Sequence, residues 1–161
     1  MLRFRWGRPD DPRRVAQSIP PEADEGPTAL TEALDQINRF INQKAGRLPG
    51  VAVVNARRLT DTLRQIIDTS AVRPLDVHAM LCVKATLGDY LPTTLRNYLS
   101  LTEGVTAGPG EAPMQLILEQ IATFQTVASE ILVAVRRQDV DALITHGNFL
   151  RIKYSGSDLD L

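Results

Sequence analysis

The chain has 161 residues, 43% of them hydrophobic, with 18 basic against 19 acidic side chains and a formal net charge of −1. That length suits one domain able to bury about 70% of the surface its unfolded form exposes, so a core can form without metals or disulfides. The balanced charge excludes a general polyanion binder, and no nucleic-acid partner is expected.

The one cysteine, Cys82, has no internal disulfide partner. Beside Met80, Leu81 and Val83 it reads as a packed thiol, which suits a reducing compartment. Arg, Lys, Asp, Glu or Gln interrupts every hydrophobic stretch, so the roughly 20 apolar residues of a membrane-spanning helix are not expected. The opening MLRFRWGRPDDPRR lacks the apolar core of a secretion signal. The expected location is the cytoplasm, with the inner face of a membrane as a peripheral alternative.

Residues 1–27 carry Pro9, Pro12, Pro20, Pro21 and Pro27 without hydrophobic periodicity, and are expected to form a disordered or extended arm. Leu30, Leu34, Ile37, Ile41 and Leu48 then recur on one stripe of a first helix, which Thr28 can cap and Leu48-Pro49-Gly50 should end. A second helix is predicted from about Val51 to Thr69. It places Ala56, Leu59, Leu63, Ile66 and Ser70 inside, with Arg57, Arg58, Asp61, Arg64 and Asp68 outside. The short Pro-Gly connection makes the two an antiparallel hairpin.

Asp76 can cap a third helix whose stripe is Val77, Met80, Leu81, Lys84 and Leu87. In GDYLPTTLRNYLSL, Pro92 should break the helix and push Leu91 toward extended backbone. Thr93 or Thr94 would then restart a short helix holding Leu95, Tyr98 and Leu99. Residues 102–113, with GPG, are expected to be a surface loop. Behind Pro113, which suits the first helical position, the residues Ile117, Ile121, Phe124, Ala128, Ile131 and Val135 keep a four-three-four repeat. Val140, Leu143, Ile144, Gly147 and Leu150 continue that face or restart it after a break near Gln138. The fold class is therefore all-α, an elongated three- to four-helix bundle with coiled-coil-like packing over residues 28–154, followed by an acidic-apolar tail at residues 155–161.

Few residues suggest chemistry. His78 and Cys82 lie one helical turn apart and form the best metal or nucleophile candidate, but one thiol and one imidazole are too few for a structural zinc. No catalytic, cofactor-binding or metal residue is assigned, and no cofactor is expected. The pair Asp139 and Asp141 points apart on a helix and reads as helix-start chemistry. No phosphate-cradling GxxxxGK[ST] or GxGxxG and no GxSxG elbow occurs. The least ordinary segment is MLRFRWGR, where Leu2, Phe4 and Trp6 alternate with Arg3 and Arg5 ahead of Arg8. As an extended ribbon it could engage an acidic groove or an anionic lipid surface, or fold back so that Trp6 covers an end of the bundle. Arg3, Phe4, Arg5, Trp6 and Arg8 are thus the candidate partner-binding residues.

Two segments, Asp89-Tyr90-Leu91-Pro92-Thr93-Thr94-Leu95 through Tyr98-Leu99 and Gly147-Asn148-Phe149-Leu150 through Tyr154, resemble bacterial proteins of the XpaC type. These are named for 5-bromo-4-chloroindolyl phosphate hydrolysis and discussed beside toxic-anion-resistance proteins. The resemblance covers the C-terminal half and implies a helical fold in a bacterial envelope or stress setting. Neither segment holds a group suited to phosphate chemistry. The expected function is a non-enzymatic interaction or scaffold protein that docks a protein partner through the arm or a bundle face and is able to form homo-oligomers. The rivals are a small phosphate-ester hydrolase or its accessory, and a peripheral component at an anionic membrane surface.

Overall fold

The computed structural model describes residues 26–105 and 110–154. Among them the chain is all-α, as the periodicity predicts. The helices are α1 (Pro27–Lys44), α2 (Gly50–Asp68), α3 (Val77–Ala85), α4 (Leu91–Thr102), α5 (Glu111–Arg137) and α6 (Val140–Tyr154). The tail, the first 25 residues and the candidate positions Arg3, Phe4, Arg5, Trp6 and Arg8 lie outside the described residues.

Helix α2 lies between α1 and α5, α4 and α6 pack on α5, and α3 rests on α6 with lighter contacts to α1 and α2. The stripe Leu30, Leu34, Ile37 and Ile41 is buried against α2, whose Ala52, Ala56, Leu59, Leu63 and Ile66 are also inside. Each such leucine or isoleucine stabilises the fold by about 1.5–3 kcal/mol relative to exposure. Polar pairs fix the helices in register. The Thr60 hydroxyl donates to Asn38 Oδ1 at 2.9 Å, Arg64 meets Asp35 at 3.2 Å, and Arg57 bonds Asn42, all across α1 and α2. Gln125 Nε2 donates to Thr62 Oγ1 at 2.9 Å and joins α5 to α2.

Helix α1 starts two residues earlier than expected, its cap being Gly26 instead of Thr28. Pro27 occupies the first turn with Gly26 as the cap residue, and no side chain caps it, so Thr28 does not take that role. A proline there loses nothing, because its missing N–H has no acceptor within the helix and its fixed φ already suits one.

A larger departure lies at Pro92. Leu91 is helical rather than extended, with φ −67° and ψ −48°, and its N–H bonds to the Thr86 carbonyl in a π-turn spanning Thr86–Tyr90. The chain therefore runs from α3 into α4 without stopping. A proline ring ordinarily collides with the carbonyl four residues back, and the wider π-turn relieves that collision. Gly88, the residue whose carbonyl Pro92 cannot pair with, is exposed.

The stripe expected on α3 is also out of phase. Ala79, Cys82 and Val83 are buried, whereas Val77 and Leu81 are each about half exposed. Apolar side chains surround α3, so periodicity could not single out its inner face.

Helix α5 follows its pattern closely, burying Ile117, Ile121, Phe124, Ala128 and Ile131, with Val135 partly buried. It begins at Glu111, two residues before the expected start at Pro113, which stays in its first turn. By length and composition α5 is apolar enough to cross a membrane, against the sequence expectation, and here it packs on α2, α4 and α6.

The predicted break near Gln138 is a left-handed residue with φ 60° and ψ 35°. Gln138 N–H donates to the Val135 carbonyl and Asp139 N–H to the Ala134 carbonyl, the paired bonds of a Schellman ending. Asp139 then accepts from Ala142 N–H at 3.0 Å and so starts α6, the helix-start role expected of it.

Candidate docking surface

Asp76 caps α3 by accepting from His78 N–H at 2.8 Å, which fixes the turn carrying His78 and Cys82. Cys82 is only 7% exposed, and burial, with Asp76 adding, pushes its thiol up to about 11. At neutral pH it is a protonated thiol rather than the thiolate that attacks or binds metal. Among the described residues no three His, Cys, Asp or Glu side chains converge on a metal position. The other histidine, His146, sits elsewhere on α6 and reaches Glu130 of α5 at 3.1 Å.

Helix α6 crosses α3 at Gly147. A Cβ built on that glycine would stand 2.9 Å from Cys82 Sγ, so the absent side chain permits the close approach. Deeper in, Tyr90 at the end of the π-turn, Phe124 of α5 and Tyr154 at the end of α6 form an aromatic cluster. Their ring centroids are 6.2 Å apart for Tyr90–Phe124, 5.6 Å for Tyr90–Tyr154 and 4.6 Å for Phe124–Tyr154. The two segments singled out in the sequence thus meet through Tyr90 and Tyr154. Burial raises the pKa of both phenols, and at Tyr154 the neighbouring Thr123 side chain works in the opposite direction. The cluster is a packing element.

Outside this core, α3 and α6 enclose a groove of about 440 Å³ whose walls include Leu81, Ala85, Ile144 and Leu150, with His78, Asn148 and Arg151 at its edges. Its mouth is apolar: Leu81 is 53% exposed and Ile144 37%. Farther along the same helices Val77, Val140, Phe149 and Ile152 are exposed too. The outer face of α2 carries Arg57, Arg58, Asp61, Arg64 and Asp68, with Val51 and Val54 exposed in its first turns. Leu81, Ile144 and Val77, one turn before Leu81, therefore meet water beside the groove.

A second cleft, about 480 Å³, opens at the end of the bundle where the Thr69–Ala71 3₁₀ turn faces the α5–α6 reversal. Val72, Pro74, Val135, Val140 and Leu143 line it, with Arg73, Asp76 and Arg136 also on its wall.

Sequence reasoning placed Leu81 inside and so missed the α3–α6 face. The available signal was apolar residues all round two short helices, more than one buried face can use. No protein family, curated protein or solved structure matches this chain.

Proposed function

We propose that this chain is a non-enzymatic helical interaction or scaffold protein that docks a protein partner on its α3–α6 face. The observation that carries this reading is the apolar groove mouth formed by Leu81 and Ile144, with Val77 exposed one turn before Leu81. A groove between two helices, apolar inside and polar at the rim, suits an amphipathic helix laid along it. The XpaC-like segments supply the packing behind the groove, and the resemblance they carry adds a bacterial cytoplasmic, envelope- or stress-linked setting to the proposal.

The protonated, buried state of Cys82 weighs against a phosphate-ester hydrolase built on the His78–Cys82 pair. The test is affinity purification from the native cell with the intact chain, the Leu81→Asp/Ile144→Asp variant, and Asp61→Lys on the outer face of α2. A partner retained by the intact chain and Asp61→Lys but lost from the double variant supports the reading. Identical partner sets for all three would overturn it, as would hydrolysis of a chromogenic phosphate that His78→Ala or Cys82→Ala abolishes.

A further inference from the structure

We infer that the cleft between α1 and α4 is a binding site for a small hydroxylated phosphate monoester, held by Arg39 and Arg96. The inference is independent of the α3–α6 docking face, with which this cleft shares no residue. The cleft encloses about 420 Å³, within the range of small-molecule pockets. Gln36, Arg39 and Gln43 line it from α1, and Gly88, Pro92 and Arg96 line it from the π-turn and α4.

Charge is the first observation. The chain as a whole balances 18 basic against 19 acidic side chains, yet every charged side chain lining this cleft is an arginine. The carboxylates closest in sequence are engaged elsewhere. Asp35 meets Arg64 of α2 at 3.2 Å, Asp89 accepts from the Thr93 hydroxyl at 3.2 Å, and Glu103 meets Arg47 at 3.6 Å. The Arg96 guanidinium carbon stands 5.8 Å from the centroid of the Phe40 ring, and that ring packs against the core. Stacking holds a planar fork of donors across the α1–α4 junction, so less freedom is lost when the fork meets a pair of anionic oxygens. A phosphate monoester carries about −1.5 to −2 charge at neutral pH and three acceptor oxygens, which suits two guanidinium groups better than a single carboxylate does.

Gly88 is the second observation. It lies inside the π-turn, a helical setting where glycine is less stable than alanine, yet a Cβ built there meets nothing within 4 Å. No packing contact requires the glycine, and the missing side chain leaves the cleft floor open to a ligand. Pro92 has no N–H to give the Gly88 carbonyl, so a ligand hydroxyl finds an acceptor there. Gln36 and Gln43 add amide groups that both donate and accept. These neutral groups suit the hydroxylated part of a glycerol- or sugar-type phosphate.

The test is an NMR titration of the full chain with glycerol 3-phosphate at fixed ionic strength, with glycerol, sulfate and a phosphoserine peptide as parallel probes. Glycerol 3-phosphate should give saturable shifts confined to residues 36–43 and 87–96, and glycerol and sulfate should not saturate in the same range. Arg39→Gln and Arg96→Gln should each weaken binding by about tenfold, the loss of one charged hydrogen-bonding group. Both arginines are exposed, so the thermal midpoint should hardly move. Arg58→Gln, on the outer face of α2, should leave binding unchanged. Gly88→Ala should weaken binding several-fold while raising the thermal midpoint, a combination that a purely structural glycine would not give. An absence of saturable shifts would overturn the inference, as would equal affinity for sulfate or shifts indifferent to Arg39→Gln and Arg96→Gln. Tighter binding of the phosphoserine peptide would overturn it too, by assigning the cleft to a modified protein partner.

Discussion

A methyl group on Gly147 would stand 2.9 Å from the Sγ of Cys82, so α3 and α6 pack as closely as the missing side chain allows. Gly147→Ala gains about 1 kcal/mol of helix propensity and meets an overpacking cost of about 1–3 kcal/mol. The expected outcome is a net loss of about 1 kcal/mol, read from urea denaturation. In a Cys82→Ala background the clash is gone, and the same substitution should stabilise by about 1 kcal/mol. A loss of equal size in both backgrounds would show that the thiol is not what Gly147 accommodates.

Gln138 holds a left-handed conformation that a side chain disfavours by about 1–2 kcal/mol. Gln138→Gly should raise stability by about 1 kcal/mol, because the Schellman bonds of the α5–α6 turn are backbone bonds and survive the change. A higher thermal midpoint with unchanged helicity is the expected result, and a lower one would mean that the Gln138 side chain contributes more than its conformation costs.

Burial of the Cys82 thiol gives stability a defined dependence on alkaline pH. Its pKa rises from 9.0 to about 11 on folding, so above pH 9 the unfolded chain loses a proton that the native chain keeps. The stabilising contribution is whole below pH 9 and is lost as pH rises through about 11. Cys82→Ala should flatten that part of the stability profile and leave the further alkaline loss from Tyr90, Tyr98 and Tyr154, whose pKa values burial also raises. Thiol labelling of the native protein should be slow at pH 7 and accelerate with pH toward the same range.

The Tyr154 hydroxyl lies beside the Thr123 side chain, while its ring closes the cluster with Phe124 and Tyr90. Tyr154→Phe should cost no more than about 1 kcal/mol, since at most one hydrogen bond of the hydroxyl is removed. Phe124→Ala, which empties a site only 1% exposed, should cost about 3–5 kcal/mol. Equal losses for the two in denaturant titrations would mean that the hydroxyl contributes far more than one hydrogen bond.

How much of this was legible in the sequence follows from how each helix divides its apolar residues. Helices α1, α2 and α5 carry one apolar stripe and a polar back, so Leu34, Leu59 and Ile121 could be placed in the core from spacing alone. Helices α3 and α6 are apolar on several sides, and there spacing put Leu81 inside and Ile144 on the core face although both meet solvent. The caps Asp76 and Asp139 were readable because a carboxylate before an apolar run has a local role independent of tertiary contacts. The π-turn at Pro92 was not, because its stability depends on Thr86, Leu87 and Tyr90 being buried by other helices. The candidate docking face lies where two ambiguous helices meet, which made it the least readable part of the chain.

The α3–α6 groove also has a place in the order of synthesis. Its walls come from residues near position 80 and residues near position 145, and α5 must lie between them before α6 can return to α3. A nascent chain ending within α5 has the residues of α1, α2 and α3 but none of α6, so it has no groove. During that interval the surfaces of α3 and α5 that α6 will cover stand bare, and a chaperone or a neighbouring chain on the same messenger can reach them. Emergence of the stretch through Leu150 closes that interval, and the same event creates the groove.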